Sequence, residues 1–211
     1  FQHIERLLAA FPQAHVLGGV AHIGATTEAP GRIVHLNKIA TFLAGPLREG
    51  EHVPTALRTL FTATDSPEIK MRIVEDASAQ MWTKLVFLAT LAASTCKHNA
   101  DIGAILDQAD GKAEILATLE EARNIASLEG FEPPLGDLDQ YRKQLTEIGS
   151  NSTASMLRDM RAGGPTEVEH VLGDLVSRAI RHKIETPNLV AALSHIRAYE
   201  KGRYCQVVDR V

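Results

Sequence analysis

D-A-S-A-Q-M-W-T-K-L-V-F-L-A-T-L-A-A-S-T-C, residues 76–96, decides how this chain is organised. Aspartate is a favoured helix N-cap, and the residues after Asp76 are good helix formers. Apolar groups recur nearly all the way round, so the helix is largely buried. Lys84 is the only charged side chain in residues 77–96. An ammonium in such a place is costly to desolvate and needs a partner or a task. A lysine with a lowered pKa exchanges a proton near neutral pH, which makes Lys84 a candidate general acid. The blander reading is that Lys84 lies along a groove and snorkels its amine to water.

The pattern changes at Asp76. Before it, Ile4, Leu7, Leu8 and Phe11 mark one face of a first helix. Residues 16–25 are apolar and glycine-punctuated, as in a buried strand. E-A-P-G at 28–31 signals a turn. Residues 32–36 and 39–44 read as two short strands forming a hairpin. Residues 51–64 have helical spacing at Val53, Leu57, Leu60 and Phe61, and residues 68–74 alternate as a half-buried strand.

After Asp76 every periodic segment is helical. The predicted helices are 77–96, 113–129, 138–148, 153–161, 165–183 and 187–201, the last closed by Gly202. The stripe Val168, Val171, Leu172, Leu175, Val176, Ala179 and Ile180 is the clearest of them. The expected organisation is therefore an α+β part, residues 1–75, followed by an all-α domain, residues 76–211.

Bulk composition narrows the function. The chain has 211 residues, 45% of them hydrophobic, which suffices for a real core. A net charge of -4 argues against a nucleic-acid or polybasic membrane surface. Nine histidines are scattered without ligand spacing, so no metal site is expected. Cys96 and Cys205 form no framework; Cys96 reads as a small buried hydrophobe, and this cysteine usage suits a reducing cytoplasm. The polar positions Ser78, Gln80, Thr83 and Lys84 make 77–96 a poor membrane span. The chain opens without Met, already inside a helical pattern, so a preceding segment is expected.

Two further segments attract chemistry. In Ser155-Met-Leu-Arg-Asp159, Ser155 and Asp159 share a helix face. In Gly163-Gly-Pro-Thr-Glu167, the Glu167 carboxylate falls in the first turn of a helix, where the dipole favours it. Singly, these residues read as capping or solvated groups.

Together with Lys84 they resemble one family. W-x-K-L at 82–85, S-M-L-x-D at 155–159 and G-x-P-T-E at 163–167 are similar to the C-terminal domain of ketopantoate reductase (2-dehydropantoate 2-reductase). F-P-x-A-x-V-L-G-G-V-A-x-I-G-A at 11–25, A-P-G at 29–31, A-x-x-E-G-F at 126–131 and T-P at 186–187 fit the same pattern, which extends to about Tyr199.

The resemblance implies a remnant of an α/β cofactor-binding domain ahead of an all-α substrate domain. It implies reduction of a small 2-oxo acid by NADPH, in the pantothenate pathway or a related one, by a cytoplasmic enzyme, with a homodimer as the expected assembly. Lys84 matches the lysine that gives its proton to the nascent alkoxide, Ser155 the serine that holds substrate, and Glu167 the glutamate that meets the cofactor near its ribose. Asp159 is expected only to support its helix.

Two departures matter. No G-x-G-x-x-G dinucleotide loop occurs here, so the chain is expected to be a fragment, or a protein that lost its Rossmann half, that binds NADPH poorly or not at all and is inactive by itself. Leu88 and Ala92 stand where the family carries asparagines. Losing an amide removes a hydrogen bond to a hydroxylated substrate, so a less polar 2-oxo acid is expected. The competing expectation is a non-catalytic helical interaction or dimerisation module derived from that family.

Overall fold

The structure is a computed structural model that describes residues 2–48 and 50–208, with side chains for all of these but Gln2, Asn37 and 205–208. It comprises two compact units that divide inside one helix, between Met81 and Trp82, a little beyond the composition shift at Asp76.

The first unit holds a three-stranded sheet in the order β1-β2-β3. Helix α1, Gln2–Ala10, precedes β1, Leu17–Ala29, which pairs antiparallel with β2, Arg32–Pro46. The turn between them is Pro30-Gly31, with Gly31 at φ +79, a backbone that side-chain-bearing residues adopt at a cost. Helix α2, Thr55–Thr64, then crosses over to β3, Lys70–Ile73, which runs parallel to β2.

Three expectations change here. Residues 32–44 make one long strand, not a hairpin of two. Its interruption is a bulge: Ile23 pairs with Ala40 and Ala25 with His35, so residues 36–39 face Gly24 alone, and the His35 ring hydrogen-bonds the Ile39 carbonyl at 3.0 Å. Helix α2 starts at Thr55 and not at residue 51, because a residue preceding proline, here Val53 before Pro54, disfavours helical backbone. The strand at 16–25 is buried only near its start, at Gly18 and Val20; Ile23, Ile33, Leu36 and Ile39 are exposed.

The second unit is all helix. Helix α3, Ala77–His98, is followed by α4, Ile102–Leu106; α5, Gly111–Leu128; α6, Leu135–Leu145; α7, Ser155–Arg161; α8, Asp174–His182; and α9, Pro187–Val208. Asp76 caps α3 as the sequence suggests, accepting a hydrogen bond from the Ala79 N–H at 3.0 Å. The core joins Trp82, Val86, Ala89, Ala93 and Cys96 of α3 to Ile115, Leu119, Ala122 and Ile125 of α5, Leu172 and Leu175 around the start of α8, and Leu189, Ala192 and Ile196 of α9. The α3 positions recur at spacings of three and four, the buried stripe of an amphipathic helix.

Helix α4 was not anticipated; its signal is Asp101, which accepts from the Ala104 N–H at 2.8 Å. The helix expected at 165–183 begins only after Glu167, whose carbonyl accepts from the His170 and Val171 N–H groups. It passes through a π turn, Glu169–Gly173, before α8. The Thr166 N–H ahead of it donates to the Glu200 carboxylate at 2.5 Å, which satisfies a donor that the first turn leaves without a helical partner. Helix α9 runs through Gly202 to Val208, so Gly202 does not close it; one helical glycine costs only about 1 kcal/mol against alanine. The Cys205 side chain lies outside the described residues. No helix among the described residues is long and apolar enough to cross a membrane.

Candidate functional site

Helix α3 carries the centre of the site. Trp82 is pinned on its core side, with its ring stacked on Phe131 at 5.9 Å between centroids and 15° between planes. Lys84, two residues on, lies about 200° further round the helix. Its side chain is half-buried. Burial disfavours the charged ammonium and lowers its pKa from the ordinary 10.5. Leu88, one turn on, is 40% exposed, whereas Ala92 is buried in the core. Of the two positions that depart from the family pattern, only Leu88 therefore lies at the surface beside Lys84.

Helix α7 brings Ser155 toward the same strip. Met156 and Leu157 are buried, seating the helix on the core. The Ala154 N–H donates to the Thr95 hydroxyl at 3.3 Å. Thr95 lies eleven residues beyond Lys84, about 20° round α3 and roughly 16 Å along it. Ser155 follows directly as the first residue of α7, exposed and next to that anchor. Lys84, Leu88 and Thr95, which anchors the start of α7, thus lie along one side of α3, with Thr95 roughly 16 Å from Lys84. Asp159, further along α7, has an exposed side chain, and its carbonyl accepts from the Gly164 N–H at 2.8 Å.

Glu167 is held by its loop. Gly163 turns the chain at φ +71. The Tyr199 hydroxyl donates to the Gly164 carbonyl at 2.7 Å, and Glu200 takes the Thr166 N–H. Burial works to raise the Glu200 pKa, but its hydrogen bonds with Thr166 and Arg203 and the Arg203 charge prevail and hold it below the ordinary carboxylate value. The loop is thus tied to α9 at two points, and Glu167 is exposed at its end. A cleft of about 410 Å³ lined by Asn99, Met160, Arg161, His195, Ala198 and Tyr199 does not include Lys84, Ser155 or Glu167.

The sequence reading missed a buried ionic cluster. Arg178 donates from Nε to Asp174 at 2.9 Å and from its terminal nitrogen to Glu129, and His182 Nε2 lies 2.7 Å from Glu129. The signal was present: Asp174 and Arg178 interrupt the apolar stripe of α8 one turn apart. Burial raises the Glu129 pKa, but the His182 hydrogen bond and the Arg178 charge outweigh it and hold the carboxyl below its ordinary 4.5. A second missed device is Glu121, which accepts from the Asn188 and Leu189 N–H groups at the start of α9. Among the described residues no three His, Cys, Asp or Glu side chains gather as a metal site.

Comparison with known proteins places this architecture. The family described as ketopantoate reductase PanE/ApbA C terminal matches residues 76–200. An uncharacterized oxidoreductase, YkpB, of Bacillus subtilis (strain 168) is 27% identical over 95% of this chain and 65% of its own length. The 2-dehydropantoate 2-reductase of Salmonella typhimurium is 28% identical over 82% of this chain and 48% of its own. Among solved structures, 2-dehydropantoate 2-reductase from Methylococcus capsulatus superposes with a TM-score of 0.80 at 27% identity, covering 94% of this chain and 62% of that one. This chain therefore spans between about half and two thirds of the length of these relatives. The match takes in α3 with Lys84, the start of α7 and the Gly163–Glu167 loop, and the chain belongs to the ketopantoate reductase family through its C-terminal domain.

Proposed function

We propose that this chain is the substrate-domain portion of an NADPH-dependent reductase of small 2-oxo acids, of the 2-dehydropantoate 2-reductase type. The observation that carries the reading is Lys84, a half-buried lysine with a lowered pKa on a helix whose other side is locked into the core. Membership of the family and the names of the relatives support the reaction class.

The nicotinamide, when bound, supplies hydride to the carbonyl carbon of the substrate. What this chain contributes is the proton and the grip. As charge develops on the carbonyl oxygen, the Lys84 ammonium stabilises it and then transfers its proton to the alkoxide. A lowered pKa makes that transfer easier near neutral pH. Ser155, exposed at the start of α7, can donate its hydroxyl to the substrate carboxylate. The residues fit a cofactor only at its edge: Glu167 is an exposed carboxylate at the end of a braced loop, suited to accept a hydrogen bond from a ribose hydroxyl. The glycine-rich loop that would cradle the phosphates does not occur in this sequence.

The test is NADPH oxidation by the full-length protein against ketopantoate and simpler 2-oxo acids. Lys84→Ala should lower kcat by about 10²–10⁴, the usual contribution of a positioned proton donor. Turnover by the wild type that survives Lys84→Ala undiminished would remove Lys84 from the chemistry.

A further inference from the structure

We infer that Arg178 is a positioning residue for Lys84, acting through Trp82. This rests on the reductase reading above.

Two side chains from other segments meet the Trp82 ring. The Arg178 guanidinium lies 5.2 Å from its centroid, and the Phe131 ring stacks on it. Arg178 and Asp174 are both buried and one turn apart on α8. Glu129, the residue ending α5, takes one terminal nitrogen of Arg178. Past Gly130, the Phe131 N–H returns to the Ala126 carbonyl at 2.8 Å, which fixes the ring on the tryptophan. The planar fork of Arg178 thus ties the carboxylates of two helices together while its charge sits against an aromatic ring, a combination that lysine cannot reproduce.

The consequence for Lys84 is geometric. Trp82 and Lys84 lie on nearly opposite sides of the same helical turn. Whatever fixes the tryptophan fixes the rotation of α3, and with it the direction of the Lys84 amine. Turning a helix by about 10° moves an atom roughly 8 Å from its axis by about 1.4 Å. A displacement of about 1 Å in a reacting group costs on the order of 10²-fold in rate. A cluster this costly to desolvate is a weak source of stability in itself, so what it contributes is register.

The experiment compares wild type, Arg178→Lys and Phe131→Leu in the full-length protein. Arg178→Lys keeps the charge and loses the fork; Phe131→Leu loosens Trp82 and leaves the ions intact. Two readouts are taken. The first is kcat and KM for 2-oxo acid reduction, where both variants should lose ten- to a hundredfold in kcat with KM changed less than about threefold. The second is acetylation of Lys84 as a function of pH, read by mass spectrometry, which needs neither cofactor nor turnover. Its midpoint should lie below 10.5 in wild type and move in both variants. Folded variants with wild-type kcat and a wild-type labelling profile would overturn the positioning role. A wild type that reduces no 2-oxo acid would instead overturn the reductase reading, and the labelling profile alone then decides the positioning claim.

Discussion

The Arg178 guanidinium stands 5.2 Å from the centre of the Trp82 ring, and Trp82 is the single tryptophan of the chain. The emission of one fluorophore therefore reports on the contact between α8 and α3 without engineering. In Glu129→Ala, the buried Arg178 guanidinium loses a carboxylate partner. Breaking a buried ion pair from one side costs roughly 3 kcal/mol, and denaturant unfolding followed by Trp82 fluorescence should show a loss of that order.

The same cluster sets an acid limit. The folded Glu129 carboxyl is held below its ordinary 4.5, so its contribution is fully present above that value. It is lost as pH falls through the folded pKa. Wild type should therefore lose stability below about pH 4.5, and Glu129→Gln should flatten that loss; an unchanged slope in equilibrium unfolding would place the acid sensitivity elsewhere.

Glu121 is the N-terminal cap of α9, bonded to the Asn188 and Leu189 N–H groups and the Asn188 side chain. Glu121→Ala should cost about 1–2 kcal/mol in chemical denaturation, the scale of a lost helix cap. Glu121→Gln should recover part of it.

Cys96 is fully buried at the end of α3, and burial pushes its thiol up to about 12. It should resist alkylation at pH 8 in the folded protein and react on denaturation, as peptide mapping after iodoacetamide would show.

Much of this was legible in the sequence because it depends on local order. Asp76 as a cap, residues 77–96 as a buried helical stretch with one charge and the turn at Pro30-Gly31 follow from residues within a few positions of each other. What escaped depends on distant partners. The Thr166 N–H bonds Glu200 across 34 residues, a tie that no local pattern announces. Arg178 meets Glu129 across 49 residues, and Ala154 meets Thr95 across 59. The bulge that merges two expected strands needs the register against β1. Of the expected site, Lys84 and Leu88 are adjacent by helical spacing alone, whereas the approach of Ser155 to their strip rests on the Thr95 anchor.

Leu88 is exposed one turn from Lys84, and its side chain has no hydrogen-bonding group to offer a substrate hydroxyl. Leu88→Asn should raise kcat/KM for a hydroxylated 2-oxo acid relative to its deoxy analogue by about ten- to a hundredfold. Competition between the two acids in one assay measures this ratio directly.

The central claim is that the Lys84 ammonium is the proton donor in 2-oxo acid reduction, and its titration tests this most directly. Donation requires the protonated amine, so activity must fall as pH rises through its pKa. Burial places that pKa below 10.5. The kcat/KM profile for reduction should show an alkaline limb below that value, and Lys84→Arg, with whatever residual rate it keeps, should lack it because arginine stays protonated. An alkaline limb at the same pH in wild type and Lys84→Arg would contradict the account.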